Sequence, residues 1–430
     1  MKLGIRIIDL YRGTDILGKY RQLKKLASDD KAHQKLSNDN MISFLGTIRR
    51  SNRYYSPLLH SVSEQEIIHS PLEVLSRLPY TDKHFINRHY QEIFSPIENR
   101  GYQKKKTGGS TGEPFYYMVD KEHLSWMWAH NYLFWNRCSG YEPGDPFVTI
   151  AGNSLRTVNR QLSEGFYHTL QNNYFIKGDL ISADLKLQHN RLSSAVLIYG
   201  YPSSIENLLN TMPGLPSHFR KLKAIFTTSE QLLPRVRERI ENAFGKPVFD
   251  IYGANDGGIL GCECTEKNGF HYNSLNCYAE TMVNGDGLPE LVLTNLSSYN
   301  FPFVRYRVGD IGSISTSPCS CGLSWPRITD LKGRARDLIR TREGRSVHGS
   351  FFNQIFFRFE NIDGYKIVQQ ADYSVEVFIH TRTDEEYPAV SEEVLRTIRQ
   401  ELSGLDFSIS RMQERNPTNQ KFKLIESHVS

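Results

Sequence analysis

The 430-residue chain has no apolar run approaching the roughly 18 consecutive residues that a membrane span needs. Its first residues, Met1 to Leu10, hold only a short apolar stretch before Tyr11 and Arg12. They lack the long apolar core and small-residue cleavage site of a secretory leader. Both absences point to a cytoplasmic protein, and leave open peripheral membrane contact through basic N-terminal helices. Charge of one sign is lacking too: 52 Lys and Arg against 47 Asp and Glu leave only +5. The densest basic stretches are Lys104-Lys105-Lys106 and the run from Arg334 to Arg345. No zinc-finger or RNA-recognition signature accompanies them. A phosphate-rich small substrate explains them as well, and no nucleic-acid partner is expected. Cysteine is sparse, at six residues, yet four of the six form the pairs Cys262/Cys264 and Cys319/Cys321. In a cytosolic chain such clustering favours a metal over disulfides. Internal repeats and low-complexity segments are absent.

What is present suits a globular protein of more than one domain. Hydrophobic residues make up 39% and charged residues 23%, enough for a core and a solvated surface. A chain this long exceeds one core. Residues 1 to about 100 read as mostly helical. His60–Leu78 and Thr81–Phe94 carry apolar residues at three- and four-residue spacing, with Pro71 able to split the first. A long aromatic helix is expected over about Asp120–Cys138; Trp126, Trp128, Tyr132 and Trp135 on it are most simply core or pocket wall.

The middle of the chain alternates between strand and helix. Phe147–Ala151, Leu222–Thr227 and Val248–Tyr252 read as buried strands. Ser229 reads as an N-cap ahead of an apolar face (Leu232, Leu233, Val236, Ile240, Phe244) that ends at Gly245. Alternation of this kind predicts an α/β sheet, whose ligands bind beyond the carboxyl ends of its strands. The loops at 228–231 and 252–258 therefore fall where a site is expected. Glu290–Leu296, Val304–Arg307 and Ile311–Ser315 read as further strands. Beyond residue 336, strands at Tyr365–Gln369 and Val375–His380 and a helix over about Ser391–Leu402 predict a small α+β unit.

Chemistry is densest in Thr107-Gly108-Gly109-Ser110-Thr111-Gly112-Glu113-Pro114. Glycines let backbone N–H groups approach phosphate oxygens closely, and hydroxyls add donors. No Gly-Lys-Ser/Thr follows, so this is not a Walker loop. Cys264 and His271, with Cys319 and Cys321 about fifty residues later, offer three thiolates and an imidazole, a donor set suited to a closed tetrahedral zinc site. Cys262 is a spare for Cys264; Cys138 and Cys277 read as inert.

The glycine-rich segment resembles the phosphate-gripping loop of the adenylate-forming superfamily, which holds acyl-CoA synthetases, luciferase-like enzymes and peptide adenylation domains. Other landmarks follow in the family's order. Thr227-Thr228-Ser229-Glu230 stands where its adenine-binding segment stands. Tyr252-Gly253-Ala254-Asn255-Asp256 is similar to its Tyr-Gly-x-x-Glu motif, and Arg305-Tyr306-Arg307-Val308-Gly309-Asp310 to its Tyr-Arg-x-Gly-Asp motif. Gly333-Arg334-Ala335-Arg336-Asp337 resembles the hinge segment, and Pro417-Thr418-Asn419-Gln420-Lys421 the C-terminal lysine segment. The Cys/His quartet, with Arg53-Tyr54-Tyr55 and Leu78-Pro79-Tyr80-Thr81-Asp82-Lys83, resembles the phenylacetate-CoA ligase branch and its capsule-biosynthesis relatives.

The resemblance implies a large ATP- and acid-binding domain over 1–335 and a mobile α+β lid over 336–430, turning about Asp337. It implies an ATP-dependent ligase that makes an acyl-AMP and passes the acyl group to coenzyme A, or to an amine or sugar of a polysaccharide precursor. Residues 107–112 would grip the β- and γ-phosphates, with Ser229, Glu230, Gly253 and Asn255 around the nucleotide. Tyr252 would flank adenine, Asp310 would bind both ribose hydroxyls and Arg334 the ribose–phosphate region. Lys421 would bridge carboxylate and α-phosphate, with Asp256 on Mg²⁺. Cys264, His271, Cys319 and Cys321 would hold zinc. Two positions depart from the pattern: Asp256 replaces the usual glutamate, and Gln420 the glycine before the catalytic lysine, with Lys423 a nearby rival. Those departures keep a degenerate nucleotide-binding zinc scaffold as an alternative. His380 to Asp384 also fits a His-x-x-x-Asp acyltransferase pattern.

Overall fold

A computed structural model of the chain describes residues 2–107, 115–151, 163–177, 189–254, 256–334, 338–342, 346–348, 352, 355–356, 359, 361–401, 405–412 and 425–429. The central feature is a mixed sheet. Its strands, in spatial order, are Cys277–Val283, Pro289–Asn295, Tyr306–Ser315, Arg327–Arg334, Phe270–Tyr272, Ile259–Glu263, Val248–Ala254, Ala224–Thr228, Leu197–Gly200, Phe147–Ala151 and Asn173–Lys177. The last five run parallel to one another. Pairing turns antiparallel where Val248–Ala254 meets Ile259–Glu263 and remains so to the Cys277–Val283 edge.

The parallel half is buried on both faces, and side chains of a strand alternate between faces. Phe147, Leu197, Phe226 and Phe249 enter one core with Trp126, Tyr132 and Trp135 of the Lys121–Ser139 helix. Their strand neighbours Val148, Ile198, Ile225 and Val248 enter another, with Ile205 and Leu208 of the Pro202–Thr211 helix and Val236 and Ile240 of the Pro234–Phe244 helix. The aromatic stripe on the long helix is thus core. Gly200 is needed where it stands: a Cβ there would lie 1.9 Å from the Ile150 carbonyl oxygen.

Helical structure dominates the first hundred residues, as expected, and breaks at Pro71 between Glu64–His69 and Pro71–Ser76. Arg305 ties this part to the sheet. Its backbone holds φ +46°, and its guanidinium donates to the carbonyls of Ser76 (2.6 Å) and Leu78 (2.9 Å). It also pairs with Glu280 at 3.2 Å and lies 3.9 Å from the ring centroid of Tyr80. Beyond the large sheet, strands Phe407–Arg411, Val375–Thr381, Ile362–Gln369 and Ile425–Ser427 form a small sheet covered by the Tyr387–Glu401 helix around a core of its own.

Three expectations need correction. Ser229 is not an N-cap: it takes φ +69°, and the helix begins at Pro234. Proline lacks the N–H that a first turn leaves without a partner and presets φ, so it fixes the start. Leu232 and Leu233 pack on the core from the preceding loop, which mimicked an extra helical turn. The helix expected from Ser391 starts at Tyr387, with Pro388 in its first turn. Finally, the two strands expected around Gly309 are one, Tyr306–Ser315, and Gly309 passes through φ +78° within it.

One buried group sets an acid limit on stability. His123 lies inside the protein, its Nδ1 2.9 Å from Ser297 Oγ, and burial lowers its pKa to about 4. The unfolded chain therefore binds this proton first as pH falls below the ordinary histidine value. Stability present at neutral pH is lost as pH drops towards the folded value, by roughly 2 kcal/mol near pH 5 for this residue. Urea titrations across that range should show a shallower acid limb for His123→Asn; an unchanged limb would refute the assignment.

Candidate active site and metal centre

The parallel strands place several of the singled-out residues at one end. Gly200 pairs with Thr227, and Thr228 with Ile251, so the loops after 200, 228 and 254 leave the sheet side by side at the carboxyl ends of their strands. Thr227 donates to Asp250 Oδ1 at 2.6 Å. Glu230 accepts from the backbone N–H of Ser203 at 3.1 Å, in the first turn of the Pro202–Thr211 helix. Glu230 thereby joins two of these loops.

Two tyrosine–aspartate pairs occupy the next positions. Tyr252, near the end of its strand, donates its hydroxyl to Asp310 Oδ2 at 2.6 Å. Asp256, in the turn that follows, accepts from the Tyr306 hydroxyl at 3.1 Å. The Tyr252–Asp256 and Arg305–Asp310 motifs, third and fourth in sequence order, are thus joined side chain to side chain. The register shift between Glu290 and Val292 on the neighbouring strand leaves extra residues around Gly309, which re-aims Asp310. Asp310 is the Cα register partner of Arg334, so the hinge segment's arginine sits on the adjacent strand directly opposite.

The turn bearing Asp256 is held from below. Gly258 takes φ +74°, and a Cβ on it would lie 2.0 Å from Asn295 Nδ2 and 2.8 Å from His123 Cε1. Asn295 Oδ1 in turn accepts from the Ser297 hydroxyl at 3.1 Å. Burial, and then the charge of Asp256, push the Tyr117 phenol well above the ordinary value. Tyr117 and Tyr306 were missed by sequence reasoning. Tyr306 lay within a recognised motif, whereas nothing local marks Tyr117.

Several expected site residues are not described. Gly108, Gly109, Ser110, Thr111, Gly112, Asn255 and Lys421 lie outside the described residues, as do Gln420, Lys423 and Asp337. Thr107 is described as the end of the Tyr102–Thr107 strand, whose hairpin with Phe115–Asp120 flanks the glycine-rich segment. Gly253 lies within the Val248–Ala254 strand.

The cysteine cluster assembles in full. Donor atoms of Cys264, His271, Cys319 and Cys321 all lie within 4.8 Å of one another. Cys264 and Cys319 sulfurs are 3.8 Å apart, and Cys321 Sγ is 3.5 Å from His271 Nε2. A tetrahedral zinc with ordinary bond lengths has S···S and S···N edges of about 3.8 and 3.5 Å, so the residues fit. His271 Nδ1 lies 3.0 Å from the Trp325 carbonyl, which orients Nε2 towards the sulfurs. Burial lowers the His271 pKa to about 4, leaving the neutral imidazole that ligates metals. Arg137 donates to the Cys321 carbonyl at 3.0 Å from the long aromatic helix. Cys262 points into the core two residues before Cys264 and is not among the four.

The fold is that of solved acid ligases. A 2-hydroxyisobutyryl-CoA ligase in its postadenylation state, in complex with 2-HIB-AMP, matches over 94% of this chain and 90% of its own, with a TM-score of 0.69 at 17% identity. ATP-bound MatB from Rhodopseudomonas palustris matches over 75% of this chain and 65% of its own, with a TM-score of 0.54 at 13% identity. In sequence, Protein CapK of Staphylococcus aureus is 23% identical over 344 residues, 75% of this chain and 72% of that protein. A phenylacetate-coenzyme A ligase of Pseudomonas putida is 26% identical over 286 residues, and the match spans 63% of each chain. In sequence and fold the chain is thus similar to the adenylate-forming superfamily, and within it to CapK and the phenylacetate-CoA ligase branch. The chain spans less than two thirds of the length of the phenylacetate-coenzyme A ligases it matches from Pseudomonas putida and Thermus thermophilus, 63% of each. No protein-family model matches the chain. Among the described residues no helix is long and apolar enough to cross a membrane.

Proposed function

We propose that the protein is an ATP-dependent, AMP-forming ligase that converts a carboxylic acid to an acyl-adenylate and passes the acyl group to an acceptor, with the thiol of coenzyme A as first choice. The observation that carries this reading is the Tyr252–Asp310 pair beside Asp256, at the carboxyl ends of the parallel strands. In this reading Asp310 accepts hydrogen bonds from both ribose hydroxyls and the Tyr252 ring flanks adenine. Thr107 to Gly112 grip the phosphates, with Ser229, Glu230, Gly253 and Asn255 around the nucleotide and Arg334 near the ribose. Magnesium, held by Asp256, would offset phosphate charge, and a single carboxylate is the kind of protein ligand it takes beside substrate phosphates. Lys421 stabilises the charge that develops as the acid's carboxylate oxygen bonds to the α-phosphorus and pyrophosphate leaves. The acceptor's thiol sulfur then bonds to the acyl carbon, and AMP leaves.

The unit beyond residue 336 acts as a lid, and its rotation brings the lysine segment to the site. Zinc, held by Cys264, His271, Cys319 and Cys321, keeps two loops of the large domain in place. A second reading replaces coenzyme A by an amine or sugar hydroxyl of a polysaccharide precursor, or makes a uronic acid the activated carboxylate; the similarity to CapK favours it. A cytoplasmic location, where ATP is at hand, belongs to both.

Pyrophosphate release from ATP across aryl, aliphatic, amino and uronic acids, with and without coenzyme A, tests the proposal. Release should depend on one acid class. Because two charge-assisted hydrogen bonds are worth about 3 kcal/mol or more, Asp310→Ala should raise the KM for ATP about a hundredfold. Stimulation by coenzyme A favours a thioester, and its absence the amide or ester reading. ATP binding without release for any acid would turn the choice to the degenerate scaffold.

A further inference from the structure

The charge excess of the protein is not spread over its surface. Residues 2–26 contain seven basic side chains (Lys2, Arg6, Arg12, Lys19, Arg21, Lys24, Lys25) and two acidic ones (Asp9, Asp15), a net +5. The whole chain carries a net +5 as well, so the remaining residues balance. This excess sits on two helices, Lys2–Arg12 and Ile16–Leu26. Lys19 and Lys24 are paired with Glu122 and Glu142, whereas Arg6, Arg21 and Lys25 stand exposed.

The first helix is apolar on two faces. Ile5 and Ile8 are buried, and Gly4 packs so closely that a Cβ would lie 2.1 Å from the Leu170 carbonyl oxygen. Its pose against the Ser163–Gln171 helix is therefore fixed. Asp9 is turned inward as an acceptor for Ile16 N–H at 2.9 Å and Leu17 N–H at 3.2 Å. On the other face Leu3, Ile7, Leu10 and Tyr11 follow one another at helical spacing and are 67%, 38%, 86% and 81% exposed. Phe166, on the helix beneath, is 61% exposed. Arg6 borders this stripe. Folding alone does not call for a second apolar stripe on a helix already anchored by its first.

We propose that these two helices dock the protein on an anionic membrane surface, with Leu3, Ile7, Leu10 and Tyr11 entering the headgroup boundary and the basic side chains meeting lipid phosphates. An apolar stripe with a tyrosine and flanking arginines is the make-up of a helix lying in the interface plane. Charge complementarity selects this occupant over a second copy of the chain: two copies meeting here would bring two +5 segments together, while an anionic leaflet attracts each basic side chain within a Debye length. Resting on the proposed ligase function, docking would hold the protein where an acid or acceptor carried on a lipid is presented.

Flotation of the full chain with vesicles decides the matter. The protein should float with vesicles containing phosphatidylglycerol, not with phosphatidylcholine alone, and salt should release it. Leu10→Glu lies on an exposed position and leaves the core intact, which circular dichroism and an unchanged melting temperature would verify. It should lower vesicle binding at least about tenfold, as should the pair Arg6→Glu and Arg21→Glu. Wild type that stays with the soluble fraction, or Leu10→Glu that floats as well as wild type, overturns the proposal. Concentration-dependent dimers in sedimentation velocity that Leu10→Glu abolishes, with no flotation, would assign the face to a second copy instead. The readouts are independent of catalysis, so a failed ligase assay does not bear on them.

Discussion

Lys421→Ala should lower the rate of acyl-adenylate formation by about 10²- to 10³-fold while the KM for ATP moves little. Attack of a carboxylate on the α-phosphorus brings two anions together and places extra charge on the oxygens between them. A cation that arrives with the lid meets that charge only as the transition state forms, so its loss falls on kcat rather than on ground-state binding. The position is marked by sequence order alone, and Gln420 precedes it where the motif it resembles has glycine. Lys423, two residues on, is the natural control. Lys423→Ala should behave as wild type. A collapse with Lys423→Ala and not with Lys421→Ala would transfer the role. Full activity in both variants would remove the C-terminal segment from the chemistry altogether.

Loss of the metal centre should be the largest effect on stability. The purified protein should carry stoichiometric zinc by plasma mass spectrometry, and Cys321→Ser should lose it. Zinc binding is worth roughly 10–16 kcal/mol to a small finger whose fold depends on it. This chain has other cores, so the expected loss is a fraction of that, on the order of several kcal/mol, read as a fall in melting temperature. Cys264, Cys319 and Trp325 lie in the main core cluster with Trp135 and Phe226, so disorder at the site would spread under the aromatic helix. Cys277→Ser is the matched control, a buried cysteine outside the quartet. Metal-free protein that melts where zinc-bound protein melts would refute a structural role.

Part of the candidate site could be read before the fold was known, because Tyr252, Asp256 and Asp310 each lie in a short local motif, and the sheet brings those two motifs together. The quartet was legible for a different reason: thiol and imidazole spacing carries its own chemistry. The link between Tyr252 and Asp310 was not legible, since it joins residues 58 positions apart through two strands that only the sheet brings near. Tyr117 was invisible because a tyrosine in a strand has no local mark of its partner. The helix start at Pro234 was misread because Leu232 and Leu233 keep a helical spacing although they belong to a loop. There the tertiary core set the apolar pattern, and the proline set the backbone. The strand through Gly309 looked broken for the converse reason: a glycine that signals an end in sequence serves here as a bulge.

Arg305 has a consequence for how the protein could be taken apart. It reaches from the strand that carries Asp310 to the carbonyls of Ser76 and Leu78, and the backbone of Thr81 is laced to it on either side, through the Arg305 carbonyl at 3.0 Å and the Arg307 N–H at 2.8 Å. Deleting the first hundred residues would leave the guanidinium buried beside Glu280 with its carbonyl acceptors gone, at the start of the strand that carries Asp310. The N-terminal segment is therefore a splint for the candidate site and cannot be exchanged as a module. In recombining this protein with relatives, a single crossover between residues 81 and 305 splits the splint between two parents and should fail, whereas a crossover beyond residue 307 keeps both sides together.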